Sequence, residues 1–234
     1  MAFIDQLIEF DKSLLLFLNG SDSLFLDGFF LTLTKTSTWI PLFISMLYVV
    51  IKNNNTRRCL ILLGLTVLLV VATDQFSSGF CKPFFHRFRP SQEPSLAGLV
   101  DMASSYRGSL YGFISGHATN TFSIALYFSL LFKHTRTTVI LFTWAALFSY
   151  SRIYLGLHYP GDILAGAISG SLIALIFYYI HQILVKKYCF QRERYSTLFT
   201  STGYMKKDFL VLHVVYFATL LFLIIVGLFY AFQH

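Results

Sequence analysis

Residues 209–232 read FLVLHVVYFATLLFLIIVGLFYAF, 24 residues without a single Asp, Glu, Lys or Arg. A helix needs about 20 mostly apolar residues to cross the hydrocarbon of a bilayer, so this stretch predicts a membrane-spanning segment. The whole chain leans the same way. Of its 234 residues 56% are apolar, 18% aromatic and 12% charged, where soluble domains carry about 25% charged residues. Such a composition excludes a disordered chain, a collagen-like repeat and a disulfide scaffold, and it defines an integral membrane protein.

Working back from 209–232, a basic loop (186–208) separates it from a fifth apolar block at about 162–185. The fourth is about 137–153 and the third about 116–132, with Lys133-His134-Thr135-Arg136 between them. Residues 81–114 hold three of the five prolines and are too polar for one membrane helix. The second block is about 59–80 and the first about 29–51, joined by the polar turn from Lys52 to Arg58. Residues 3–18 differ in kind. Asp5, Gln6, Glu9 and Lys12 gather on one side of a helix and Phe3, Ile4, Leu7 and Ile8 on the other, before Asn19-Gly20 stops it. A helix with one charged face suits the interface better than a crossing. The prediction is one all-α membrane domain over 1–234, six crossings with an N-terminal amphipathic interfacial helix. The start, Met1 to Asp5 followed by Glu9 and Asp11, lacks the basic region of a cleavable signal peptide. Cys59, Cys81 and Cys189 have no metal-binding spacing and are read as free thiols.

The net charge of +7 acquires meaning once it is divided between the two faces. Loops 52–58, 133–136 and 186–208 carry eleven Lys/Arg against Glu193 and Asp208, a net +9. The opposite face carries seven Lys/Arg against nine Asp/Glu, a net −2. Cytoplasmic loops are enriched in Lys and Arg, so the first face is cytoplasmic, while both termini, loop 81–114 and segment 153–162 face outward. Basic charge placed as a topology signal leaves no reason to expect a nucleic-acid partner.

Three polar clusters fall on the outward face, where ionisable groups in a membrane protein are rarely without a use. Lys82 and Arg89, followed by Pro90, are seven residues apart, so a continuous helix would present them on one face. The alternative is a basic pair reaching for lipid headgroups. Ser115-Gly116-His117 opens the third crossing; a helix N-terminus offers free N–H groups to phosphate oxygens, although the serine could simply cap the helix. Ser151-Arg152 and His158 with Asp162 form the third cluster. Arg152 has the planar fork that grips oxyanions. Asp162 can hold one ring nitrogen of His158 and leave the other bare, or it can cap the fifth crossing. Three cations, two histidines and one carboxylate fit a tetrahedral phosphate better than a carboxylate substrate. A metal site would need more acidic ligands.

Lys82-x6-Arg89-Pro90, Ser115-Gly116-His117 and Ser151-Arg152-x5-His158-x3-Asp162 together resemble the three-part motif of the type 2 phosphatidic acid phosphatase (PAP2) superfamily. The six-crossing pattern extends the likeness over nearly the whole chain; Ile114 departs from it, where many members have proline. The resemblance implies a membrane lipid phosphatase without cofactor or metal. In it His158 would attack phosphorus, Asp162 orient it and His117 protonate the leaving oxygen. Lys82, Arg89, Arg152, Ser115 and Gly116 would hold the other oxygens. Likeness to bacterial members implies the cytoplasmic membrane with the site on its outer side, and undecaprenyl diphosphate as lead substrate, with lipid A and phosphatidylglycerol phosphate as rivals. A phosphotransferase on the same site and a non-enzymatic transporter are the alternatives, the latter disfavoured because transporters place charge near the midplane. Asp74 is expected to be a buried partner of a nearby cation or hydroxyl, and His86 and Arg87 to line the entrance. Tyr106 and Arg107 are candidates to touch a headgroup from a loop whose position the sequence does not fix, and Gly166 and Gly170 are expected to pack helices closely. His134, His181, His213 and His234 are set aside as remote from the site or without partners.

Overall fold

A computed structural model describes residues 2–189 and 196–233, without the side chains of Ala2 and Phe3. Arg192, Glu193 and Arg194 of the basic loop, and His234, lie outside the described residues. Within them the chain is helical, with two isolated bridges, Phe88 to Tyr111 and Phe199 to Met205. Helix α1, Ala2–Leu18, ends where Asn19 and Gly20 (φ +63°) turn the chain. Its Leu15 is fully buried with Leu96, Ile153 and Tyr159, and the Asn19 amide donates to the carbonyls of Asp101, Ile153 and Tyr154. Ile4, Phe10 and Phe17 remain 62–84% exposed.

The first predicted crossing is not one helix. Leu24–Leu33 (α2) and a short 3-10 turn leading into Ile40–Asn53 (α3) meet at a bend of 71°. The cause is the polar run from Thr34 to Thr38, which breaks the helix and supplies its own caps. Thr38 Oγ1 donates to the Thr32 carbonyl at 2.8 Å, and buried Trp39 Nε1 to that of Leu33 at 2.9 Å. Both freed carbonyls are satisfied without water.

Thr56–Asp74 (α4) starts under an Asn55 cap and runs through a π-helical stretch, Gln75–Cys81, into the single turn Lys82–Phe85 (α5). On the outside of that wall Phe76, Phe80 and Phe84 stack in sequence at 6.0 and 5.6 Å. Gly116–Phe132 (α6), Thr135–Tyr154 (α7), Pro160–Tyr188 (α8) and Phe209–Gln233 (α9) follow, each within a few residues of its predicted block. By length and composition Thr56–Phe85, Pro160–Tyr188 and Lys206–Gln233 can cross a bilayer, and the bent α2–α3 pair makes a fourth. Helix α6 is largely buried at the centre, against α4, α7 and α8, and α9 packs on α2 and α3.

The α6–α8 contact is backbone on backbone. A Cβ at Gly170 would land on the Thr119 carbonyl oxygen and within 3.0 Å of its Cα; one at Gly166 would be 2.7 Å from the Ser115 carbonyl oxygen. The glycine pair therefore packs helices as its spacing predicts. At the opposite end from α1 the basic residues converge: Lys52 pairs with Asp208 at 2.9 Å, and Arg57 donates to the Tyr188 carbonyl. His134 and His213 share Thr137 there, and His181 is fully buried with neither ring nitrogen hydrogen-bonded. The three cysteines are free.

Candidate active site

The three clusters meet at the end of the bundle that carries α1. Lys82 stands at the start of α5, its Nζ donating to Ser78 Oγ at 2.9 Å. The helix stops four residues later, where His86 adopts φ +50°, a conformation histidine tolerates better than most residues. Arg89 therefore reaches the site from extended chain, held by its N–H to the Leu110 carbonyl. Contrary to the expectation from their spacing, Lys82 and Arg89 converge because the helix breaks between them, not because they share a helical face.

Ser115 is fully buried and caps α6, accepting from the Ala118 N–H at 3.4 Å, while its own N–H donates to the Asp162 carbonyl. Its hydroxyl thus serves the cap; the cavity wall is formed by Gly116 and His117 instead. A Cβ at Gly116 would stand 3.1 Å from Ser77 Oγ, so glycine is what lets the π-helical stretch pack against the helix start. His117 stacks on Phe148, rings 5.5 Å apart.

Arg152 lies in the last turn of α7, 6% exposed, with Nη1 donating to Thr34 Oγ1 at 2.8 Å. Its carbonyl accepts from the N–H groups of Leu157 and His158, a turn that folds His158 back beneath it. His158 Nδ1 faces Asp162 Oδ2 at 3.4 Å, and that oxygen also accepts from the Tyr159 N–H at 3.0 Å. Asp162 accordingly caps α8 and faces the histidine at once. The spacing predicts a bare Nε2 on His158, but Arg89 Nη1 lies 3.1 Å from it while also donating to the Leu157 carbonyl. The buried Nε atoms of Arg89 and Arg152 have no hydrogen bond, so each guanidinium keeps a donor to spare.

Burial, then the charges of Arg89, Arg152 and Lys82, push the His158 pKa well below the usual histidine value. The neutral imidazole, with a lone pair to offer, is the form present near pH 7. Below this polar head a cavity of about 610 Å³ descends between α3, α4, α6 and α7, past Trp39, Met46, Val50, Ile124 and Phe128. Cations and histidines thus stand at the mouth of an apolar slot.

Asp74 is exposed on the cavity wall, not buried. It sits in the last turn of α4, on the side facing the opening. Tyr106 also lines the mouth. Arg87 is more than an entrance residue. Its Nη1 donates to Asp162 Oδ1 at 2.8 Å and its Nη2 to Asp11 Oδ2 at 2.7 Å. Asp11 and Thr34 belong to the site without having signalled it. Asp11 looks like any other acid on the polar side of α1, and only the fold brings it across 76 positions to Arg87.

The chain belongs to the PAP2 superfamily, whose sequence pattern matches residues 63–186. It is 38% identical to the lipid A 4'-phosphatase of Porphyromonas gingivalis over 82% of this chain and 78% of that one. With the lipid A 4'-phosphatase of Bacteroides thetaiotaomicron it shares 39% identity over 76% of this chain and 79% of the relative. The fold is similar to the crystal structure of a transmembrane PAP2-type phosphatidylglycerolphosphate phosphatase from Bacillus subtilis, with a TM-score of 0.57 at 20% identity, covering 83% of this chain and 90% of that one.

Proposed function

We propose that the protein is a lipid phosphatase of the membrane's outer face, releasing phosphate through a phosphohistidine. The observation that carries the reading is the juxtaposition of Lys82, Arg89, Arg152 and the neutral His158 at the mouth of an apolar cavity. An anion held there has its alkyl part directed into the bundle. In the first step His158 Nε2 attacks phosphorus as Arg89 turns from the imidazole to the phosphate oxygens. The bond to the leaving oxygen breaks, and His117 supplies the proton. Water then attacks the phosphohistidine, returning a proton to His117, and phosphate departs. Lys82, Arg89, Arg152 and the Gly116 N–H neutralise the charge that builds on the non-bridging oxygens, and Ser115 holds the helix start in place. No step calls on a metal: Lys82, Arg89 and Arg152 supply the positive charge that the phosphate oxygens need.

The site is proposed to open outward from a single domain of six crossings, with α2–α3 as one bent crossing, α6 and α7 as the central two, and α1 lying along the interface. The net charges of the two ends support that orientation. For the substrate, the two relatives at 38 and 39% identity favour a lipid A phosphate over undecaprenyl diphosphate as the lead. A phosphate-release panel decides it. In detergent with chelator present, lipid A is expected to give a higher kcat/KM than undecaprenyl diphosphate or phosphatidylglycerol phosphate. No release from any of the three, or strict dependence on a divalent metal, would sink the reading. Product that appears only with an added acceptor, and without free phosphate, would make the protein a transferase.

A further inference from the structure

Arg87 divides its guanidinium between two carboxylates, and that division bears on the reacting histidine. Nη1 is spent on Asp162 Oδ1 and Nη2 on Asp11 Oδ2, while the guanidinium lies over the Tyr159 ring at 4.0 Å from the centroid. Asp11 is fixed in turn. Its other oxygen accepts from the Gly161 N–H at 2.8 Å, and a Cβ at position 161 would stand 2.6 Å from Asp11 Oδ2. Glycine at 161 thus leaves room for a carboxylate delivered from α1 to the first turn of α8.

An arginine fork prefers to give both arms to one carboxylate. Were Arg87 free to do so, the Asp162 carboxylate would tilt toward it while keeping its bond to the Tyr159 N–H, and the oxygen that faces His158 would be drawn away from the ring. That contact is already the longest in the chain of interactions, 3.4 Å against 2.7 and 2.8 Å for the two arms of Arg87. We propose that Asp11 is a positioning residue: by holding one arm of Arg87 it keeps Asp162 turned toward His158. The inference rests on the proposed roles of His158 and Asp162, and it extends the site to a helix outside all three motifs. Around His158 stand Arg89 from the loop, Lys82 from α5, His117 from α6, Arg152 from α7 and Asp162 from α8. Asp11 reaches it only through Arg87.

The test is the protonation pattern of the His158 ring, which needs no substrate. Histidine carrying 15N in the ring reports which nitrogen bears the proton, and comparison with His158→Gln identifies the signal among the chain's seven histidines. Asp11→Asn keeps the shape of the side chain but leaves one acceptor where two are needed. Arg87→Lys keeps the charge and loses the fork. Asp11→Asn is expected to reduce the Nδ1–H form of His158 at pH 7. Asp11→Glu is expected to retain it, and so is Arg87→Lys, since lysine has no second arm to give Asp162. Turnover in Asp11→Asn should fall about tenfold or more while KM stays within about twofold, since a misplaced orienting group costs rate more than binding. An unchanged His158 signal in Asp11→Asn would overturn the proposal, even if yield or turnover dropped. Wild-type protein that releases no phosphate would instead refute the phosphatase reading, and the ring signal would still decide the relay.

Discussion

His158→Ala is expected to reduce phosphate release by roughly a thousandfold or more, the scale on which removal of a covalent nucleophile acts. The site offers no substitute. His117 is stacked on Phe148 and is the group assigned to the leaving oxygen. Asp162 is fully buried, committed to the Tyr159 N–H and Arg87, and cannot leave that position to attack. Substrate binding should survive, because Lys82, Arg89 and Arg152 are untouched and Arg89 loses only the imidazole it now contacts. The variant should therefore bind lipid phosphate and fail to form a phosphoenzyme, measurable by acid quench with radiolabelled substrate. Near-normal turnover in His158→Ala would remove the histidine from the reaction.

The second large effect is structural. Gly170→Val is expected to collapse the yield of monodisperse protein and, in whatever is recovered, to lower the midpoint of thermal unfolding in detergent. A Cβ there meets the Thr119 backbone, which has no rotamer to change, so α6 and α8 must separate. Overpacking of this kind typically costs about 1–3 kcal/mol, and more when backbone is what must move. The site depends on the same contact. Ser115 opens α6 and Asp162 sits in the first turn of α8, joined by the Ser115 N–H to the Asp162 carbonyl at 3.1 Å. Separating the helices therefore separates His117 from His158. Gly64→Ala is the control. A Cβ at Gly64 has nothing within 4 Å, and alanine in a helix interior is favoured over glycine by about 1 kcal/mol. If both variants behave like wild type, the close packing of α6 on α8 is refuted.

The helices were legible because apolar blocks and polar turns alternate along the chain; α6 to α9 start and end within a few residues of where the sequence puts them. The split between α2 and α3 was not, because Thr34 to Thr38 is short enough to be absorbed into an apolar window. Only the fold shows Trp39 Nε1 and Thr38 Oγ1 closing the break. In the site, residues close in sequence announced themselves: His158 and Asp162 are four residues apart, and the turn that leads into α8 brings them face to face. Lys82 and Arg89 converge for a reason the spacing could not contain, the left-handed His86 between them. The role of Arg87 was hidden further, since its partners come from residues 11 and 162. Long-range pairing of this kind has no periodicity to read.

The stacked rings of Phe76, Phe80 and Phe84 line the outer surface of the wall that carries Lys82. In the proposed orientation they lie at the level where aromatic side chains gather in membrane proteins, beside the headgroups. Lys82 then meets a lipid phosphate at the depth where that phosphate already rests. The substrate need not be lifted into water or drawn under, and the encounter takes place within a plane. Turnover in such an arrangement follows how crowded the leaflet is with substrate, and bulk concentration matters only through that crowding.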